Sequence, residues 1–145
     1  MSGSALMQQI YREIIMERSR RPRHRGAPEH CTHRQEGINP SCGDELTLCL
    51  QVTDGSITDA LFTGQGCAIS QASADLMASA LKGLSVEAAL ELSAGFRAML
   101  RGEAHDVKLG DLEALEGVRK LHARVKCATL PWTTLDEALK GNRRG

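Results

Sequence analysis

An α+β fold, with a three-stranded antiparallel sheet packed against about five helices, is predicted for this 145-residue chain. Two β-rich runs, 45–53 and 56–63, flank an Asp54-Gly55 pair that favours a two-residue type I′ hairpin turn. The segments that follow carry apolar residues at the i, i+3, i+4 spacing typical of amphipathic helices. We therefore expect a single domain over 1–145, in which helices cover the sheet.

The other elements are placed by the same patterns. An N-terminal helix is predicted over 7–19, with Ile10, Ile14 and Ile15 on its buried stripe. A short strand over 31–38 is predicted to join the hairpin and complete the sheet. The remaining predicted helices span 68–82, 86–101, 112–118 and 128–140.

The tight turn fixes which residues face each other along the whole hairpin. Leu48 is predicted to face Leu61, and at the open end Cys42 faces Cys67. Directly opposed residues have Cβ atoms about 4.5–5.5 Å apart, and Asp44 points from the same sheet face as Cys42. A β-bulge would shift this register by one residue, and the convergence of the three side chains survives such a shift.

Two of the cysteines are predicted to lie at helix N-termini. Cys67 precedes the helix at 68–82, and Cys127 precedes the helix at 128–140, whose first turn tolerates Pro131. Helix N-termini favour anions, so both positions favour the thiolate form that binds a metal. With Cys42 and Asp44, these two cysteines complete a tetrahedral donor set.

Zinc is the metal that this donor set fits, because it favours sulfur and accepts a carboxylate oxygen. A single cysteine in a cytosolic chain is more often a small buried hydrophobe, and only the shared geometry favours the metal interpretation. A hydrolase is disfavoured, because the sequence has no HExxH motif and four protein ligands leave no open position for water.

The three cysteine motifs resemble those of a known family. The segments NPSCGDEL at 39–46, TGQGCAISQASA at 63–74 and RVKCATLPW at 124–132 are similar to those of the U-type iron-sulfur assembly proteins, specifically the SufU branch. The resemblance runs from about residue 11 to 139. Lys126 stands where the IscU scaffold branch carries a histidine, and 85–102 resembles the extra helical segment of SufU proteins.

The resemblance implies a SufE/IscU-like fold, a bound zinc ion and zinc-dependent sulfur transfer. The residues that match the zinc ligands are Cys42, Asp44, Cys67 and Cys127, and Cys127 is placed with the others by resemblance alone. Cys42 also matches the catalytic thiol that accepts sulfur from a SufS-type cysteine desulfurase, whose histidine replaces Cys42 on the metal. The sulfur then passes toward a SufBCD-type scaffold, which makes the chain a sulfurtransferase and desulfurase activator.

Two other function classes remain open. The same sulfurs suit a scaffold that transiently binds a nascent iron-sulfur cluster, in which case the cofactor is the cluster and not zinc. A zinc-stabilised interaction module without chemistry is the third class. Arg124 and Lys126 are expected to lie near the negative sulfurs, and solvated surface charges are an equally good interpretation of both.

The composition of the chain restricts its possible binding partners and its cellular compartment. The formal net charge is zero, and no aromatic residues interleave with the arginines of the predicted linker, so nucleic-acid binding is disfavoured. Those arginines are Arg18, Arg20, Arg21, Arg23 and Arg25, interpreted as a solvated segment or a protein-docking surface.

No apolar run approaches the roughly 18 residues needed to span a membrane. An odd number of cysteines without a signal segment predicts reduced thiols in the cytoplasm.

The segment before the first strand carries His24, His30, Cys31 and His33. Their spacing matches no closed zinc motif, so surface histidines in an irregular loop are preferred over a second metal site. Cys49 lies out of phase with the leucines of its strand and is assigned no role.

Overall fold

The computed structural model describes residues 2–141 and confirms the α+β fold. The elements in chain order are α1 (Ser2–Arg20), β1 (His33–Asn39), β2 (Asp44–Thr53), β3 (Ser56–Gln65), α2 (Ala68–Leu81), α3 (Val86–Leu100), a 3-10 helix (Gly110–Lys120) and α4 (His122–Gly141). The strands form one antiparallel sheet in the order β1-β2-β3.

The β2–β3 turn has the predicted conformation. Asp54 and Gly55 both have positive φ, at 53° and 79°, as a type I′ turn requires. Thr53 therefore pairs with Ser56, and the strands leave the turn with matched twist. This hairpin is the frame on which the sulfur-bearing loops are placed.

The predicted register fails after the first two residue pairs. It shifts by one residue between Gln51 and Val52, so Leu48 pairs with Phe62 and not with Leu61. The physical reason is a β-bulge, which inserts an unpaired residue and displaces all pairs beyond it. The bulge also keeps the buried side chains of β3 on the helix-facing side of the sheet, since Phe62 is fully buried.

The N-terminal helix packs less deeply than its sequence pattern predicts. Ile14 and Ile15 are partly buried against the core, but Ile10 is 39% exposed and lies outside the buried stripe. The buried Arg18 extends this contact instead, donating to Asp75 on α2 at 2.6 Å and to Ser79 at 2.9 Å.

Helix α4 begins earlier than predicted, and this changes the position of its cysteine. It starts at His122, so Cys127 lies in its second turn and Pro131 in its interior. Proline has no N–H, so the carbonyl of Cys127 lacks the helical hydrogen bond it would otherwise accept. Tertiary packing outweighs this local cost, because Cys127 and Ala128 are both fully buried.

The contact between α2 and α4 fixes how α4 lies over the sheet. Ser73 on α2 donates its hydroxyl to the Ala128 carbonyl at 2.6 Å and accepts from the Trp132 indole N–H at 3.2 Å. The Trp132 ring also stacks on Phe96 of α3, with centroids 4.7 Å apart. These contacts hold the helical turn that carries Cys127.

The segment between α1 and β1 crosses the sheet on the face opposite the helices. Beside β3, the Gly26 N–H donates to the Phe62 carbonyl at 2.9 Å, and the Phe62 N–H donates to His24 at 3.0 Å. The chain then passes to β1 at the opposite edge. Along this path Cys31 forms a disulfide with Cys49, at a Cα–Cα distance of 5.5 Å.

The prediction that all the thiols stay reduced is therefore wrong for one pair, and Cys49 does have a role. Sequence spacing does not reveal this pair, because the crossing segment brings together residues 18 positions apart. The second metal site is not supported either. Among residues 2–141, the structure gathers three potential ligands only at Cys42, Asp44 and Cys127.

Three of the five clustered arginines have partners within the chain. Arg18 is buried against Asp75, and Arg23 pairs with Glu17 at 2.8 Å. Arg25 donates to the Gly64 carbonyl at 2.5 Å and to the Gln71 side chain at 2.8 Å. The interpretation as a solvated segment is therefore wrong for the buried Arg18, whereas Arg23 and Arg25 make their contacts on the exposed surface. Within the described part of the chain, no helix is long and apolar enough to cross a membrane.

Reducing the disulfide should destabilise the protein. The disulfide joins residues 18 positions apart and so lowers the conformational entropy of the unfolded chain. Its reduction should therefore lower the free energy of unfolding by about 3 kcal/mol. Chemical denaturation with and without a thiol reductant measures it. The control is a Cys31→Ser, Cys49→Ala double variant, whose unfolding midpoint should not respond to the reductant. Equal midpoints for oxidised and reduced wild type would contradict a stabilising disulfide.

Candidate metal centre

Three parts of the fold meet at the open end of the β2–β3 hairpin. The turn between β1 and β2 carries Cys42, and Asp44 is the first residue of β2. Cys67 is the N-cap residue of α2, and Cys127 approaches from α4. The hairpin end, the start of α2 and the second turn of α4 therefore bring the four predicted ligands to one place.

Asp44 is the best-anchored residue of the centre. Its side chain is buried, and its Oδ1 atom accepts hydrogen bonds from the Cys67 backbone N–H at 3.0 Å and from the Ser70 hydroxyl at 3.2 Å. Its Oδ2 atom accepts from the Asn39 side-chain amide at 3.3 Å. The carboxylate thus caps α2, where the helix dipole favours a negative charge.

Cys127 is fully buried, and the other predicted ligands surround its thiol. Burial raises the pKa of the Cys127 thiol, and hydrogen bonds with Asp44, Cys42 and Cys67 raise it further. Without a cation, this arrangement therefore keeps a proton among the sulfurs. A bound metal ion favours the thiolate form instead, because it takes the place of the proton on its thiol ligands.

The distances between the donor atoms suit a small metal ion. The ligand atoms of Cys42, Asp44 and Cys127 all lie within 4.8 Å of one another. In a tetrahedral zinc site with Zn–S bonds of about 2.3 Å, neighbouring sulfurs are roughly 3.8 Å apart. Cys67 lies outside that group of three, but it is close enough to Cys127 to help raise the pKa of that thiol. Three sulfurs and one carboxylate are thus available, and this set fits zinc.

The two predicted cations differ in position. Arg124 is exposed, and a hydrogen bond with Cys127, together with the charges of Cys67, Cys127 and Cys42, raises the pKa of its guanidinium. Lys126 is also exposed, and among residues 2–141 its ammonium group has no hydrogen-bond or ion-pair partner. The structure brings Arg124 to the sulfurs and leaves Lys126 as a solvated charge.

Sequence reasoning missed two residues of the centre, Asn39 and Ser70. Both lie inside the motifs around the cysteines, and both donate to Asp44. Ser70 lies in the first turn of α2, close to Cys67 in the sequence, but it forms no recognisable capping motif with it. Asn39 had no sequence signal either, because its contact with Cys127 joins residues 88 positions apart.

Gly66 leaves room for the Asp44 carboxylate. A Cβ atom at this position would collide with Asp44 Oδ1 and with the Ser70 hydroxyl. Gly66→Ala should therefore displace the carboxylate and weaken zinc binding about 10-fold or more, because partners that orient ligands typically contribute that much. Competition with a chromogenic chelator measures the affinity.

Gly117→Ala is the matched control, because a Cβ atom there meets nothing within 4 Å. Its zinc affinity should equal that of wild type. An unchanged affinity in Gly66→Ala would show that the Asp44 position is not required for metal binding.

Comparisons with known proteins place this chain in a family. Residues 10–128 match the NifU-like N terminal domain. The chain is 40% identical to the zinc-dependent sulfurtransferase SufU of Bacillus subtilis, over 100% of this chain and 99% of that protein. It is 44% identical to the iron-sulfur cluster assembly scaffold protein IscU of Thermotoga maritima, over 90% of this chain and 93% of that protein.

A solved structure shows the same fold at similar identity. It is the putative iron-sulfur cluster assembly scaffold protein for the SUF system from Fervidobacterium islandicum AW-1. It superposes with a TM-score of 0.85 at 38% identity, covering 88% of this chain and 94% of that one. On the extent of these matches, the chain belongs to the NifU-like N-terminal domain family.

Proposed function

We propose that this protein transfers sulfur in iron-sulfur cluster biogenesis in the cytoplasm, with zinc bound by Cys42, Asp44, Cys67 and Cys127. The single observation that carries the proposal is the convergence of these donors around Asp44 and the buried Cys127. A full-length relative that is named a zinc-dependent sulfurtransferase supports it. The partners are a SufS-type cysteine desulfurase as sulfur donor and a SufBCD-type scaffold as recipient.

The position of Cys42 on a turn favours it as the accepting thiol, since burial excludes only Cys127 and leaves Cys42 and Cys67 both partly exposed. Cys127 is fully buried, and Cys67 is tied to α2 as its N-cap residue. Cys42 lies on a turn and is partly exposed, and its thiol donates a weak hydrogen bond to the Ala123 carbonyl at 3.6 Å. Gly43 beside it has a φ of 70°, a conformation that glycine adopts without strain. This turn is the part of the centre best able to present a sulfur to a partner.

Bound zinc keeps its thiolate ligands deprotonated at neutral pH without redox activity, but a coordinated thiolate is a weaker nucleophile. Cys42 therefore reacts as a free thiolate. It attacks the terminal sulfur of the desulfurase persulfide, a new S–S bond forms on Cys42, and the desulfurase cysteine leaves as a thiolate. No oxidant or reductant is consumed. The exposed Arg124 guanidinium lies where it stabilises the negative sulfur.

A cluster scaffold is the alternative, and the identity to proteins named as IscU scaffolds favours it. Thiolate-rich sites also hold iron-sulfur clusters. Lys126 argues for sulfur transfer, because the scaffold branch carries a histidine ligand at this position. Metal analysis of anaerobically purified protein separates the two, since a zinc protein is colourless and a cluster protein is brown.

Replacing Cys42 with alanine should abolish stimulation of the desulfurase, because the accepting sulfur is removed. The measurement is the rate of cysteine turnover by a SufS-type desulfurase with and without the variant. Ser41→Ala is the matched control, since this neighbouring residue is exposed and carries no thiol. Asp44→Ala should loosen the metal while it keeps the accepting thiol.

A pair of outcomes would favour the scaffold. If Cys42→Ala stimulates the desulfurase as well as wild type does, while Asp44→Ala purifies brown with iron and sulfide, sulfur transfer through Cys42 is wrong.

Zinc removal should lower the melting temperature sharply. Structural zinc contributes apparent binding free energies of about 10–16 kcal/mol in small peptides, and an ion bound only by the folded state stabilises that state. Thermal denaturation before and after chelation tests this, with zinc added back to show reversibility. An unchanged melting curve after complete removal would mean that the helices and the sheet carry the fold by themselves.

A further inference from the structure

Asn39 is the last residue of β1 and lies directly opposite Asp44, the first residue of β2. Its backbone carbonyl accepts a hydrogen bond from the Cys42 N–H at 3.3 Å, which helps to close the turn between the two strands. The sulfur that we propose to leave the metal is therefore carried on a turn anchored by Asn39.

The side chain of Asn39 reaches two other predicted ligands. It is 6% exposed, and its Nδ2 amino group donates to Asp44 Oδ2 at 3.3 Å and to Cys127 Sγ at 3.8 Å. The amino group has two hydrogens, so both contacts are made at once. Through these contacts the end of β1 is linked to α4.

The chemistry of a carboxamide suits this position. A buried amide needs hydrogen-bond partners, and the partners of Asn39 are Asp44 and Cys127. When a metal is bound, one is a carboxylate and the other a thiolate, so both are negatively charged acceptors. A lysine or arginine would place a positive charge beside the ion and oppose its binding. An amide donates without a net charge, so it orients the ligands and moderates their negative charge, as outer-shell partners of metal ligands do.

We propose that Asn39 is a positioning residue, which holds Asp44 and Cys127 in place while Cys42 leaves to accept sulfur. This inference rests on the proposed function. It divides the four donors into two groups: Asp44 and Cys127 share a hydrogen-bond donor, and Cys42 and Cys67 receive no side-chain donor from Asn39. Cys42 then departs without breaking a contact of the Asn39 amide, while Cys67 stays fixed as the N-cap residue of α2.

The test uses Asn39→Leu, which keeps the side-chain size and removes both donors. Zinc affinity should fall about 10- to 100-fold. In the cobalt(II)-substituted protein, the thiolate-to-cobalt charge-transfer band should move to longer wavelength, because a sulfur that loses an N–H donor is richer in electrons. A merely structural residue would leave this band unchanged.

Gln35→Leu is the matched control, because it removes an amide from the same strand. The Gln35 amide donates to Glu36 and Glu137, neither of which is a predicted ligand. Its affinity and its cobalt spectrum should match wild type. If Asn39→Leu also matches wild type in both readouts, Asn39 does not position the ligands, and the proposal is overturned while the proposed function stands.

Two further outcomes are distinguishable. If wild type itself takes up no zinc or cobalt, the proposed function fails and the role of Asn39 fails with it. If Asn39→Leu does not fold, nuclear magnetic resonance of wild type decides the question. The Asn39 side-chain amide protons should exchange with solvent more slowly than those of Gln35, and they should shift when cadmium is bound. Fast exchange without a shift would overturn the proposal.

Discussion

The carboxylate of Asp44 is the contact on which the rest of the centre depends. Asp44 begins β2, yet one of its oxygens binds the backbone N–H of Cys67 and the hydroxyl of Ser70 at the start of α2. The other oxygen binds Asn39 at the end of β1. A single buried acid thus joins two strands and a helix. The helix N-terminus favours a negative charge at this position, where the carboxylate oxygens can reach a cation.

This arrangement places a constraint on the glycine-rich turn before α2. Gly66 lies so close to the carboxylate that no side chain fits there. At Gly64, φ is 133°, and a side chain would collide with the backbone of Glu45. Because neither glycine has a side chain, the junction between β3 and α2 can pack closely against β2. This close packing brings Cys67 toward Asp44 and Cys127. The packing of the chain therefore explains the two glycines of the TGQGC motif, whether or not a metal is bound.

The five cysteines are divided between two environments by the sheet. Cys42, Cys67 and Cys127 gather at the end of the hairpin, where they are free thiols. Cys49 is on the middle of β2 and faces away from the helices, where the crossing segment delivers Cys31 to it. The disulfide fastens that segment across the outer face. Because the two groups lie on different parts of the sheet, the disulfide sulfurs are kept apart from the three free thiols.

The sequence by itself determined the local features of this protein. Asp54-Gly55 predicted the hairpin turn, and apolar periodicity predicted α2 and α3 within a residue of their ends. The spacing from the turn brought Asp44 close to Cys67, whose N–H donates to it, but the bulge removes the predicted pairing of Cys42 with Cys67. These features depend on backbone preferences and on the period of buried side chains, which neighbouring residues specify.

Only the tertiary structure decided the rest. Four features escape a pattern-based prediction: the position of the bulge between Gln51 and Val52, the start of α4 at His122, the Cys31–Cys49 disulfide and the contacts of Asn39. Pro131 illustrates the reason: its local preference is to begin a helix, but burial of Cys127 and Ala128 against the core extends α4 before it. Contacts between residues far apart in the chain outweigh local propensity, and no local pattern encodes them.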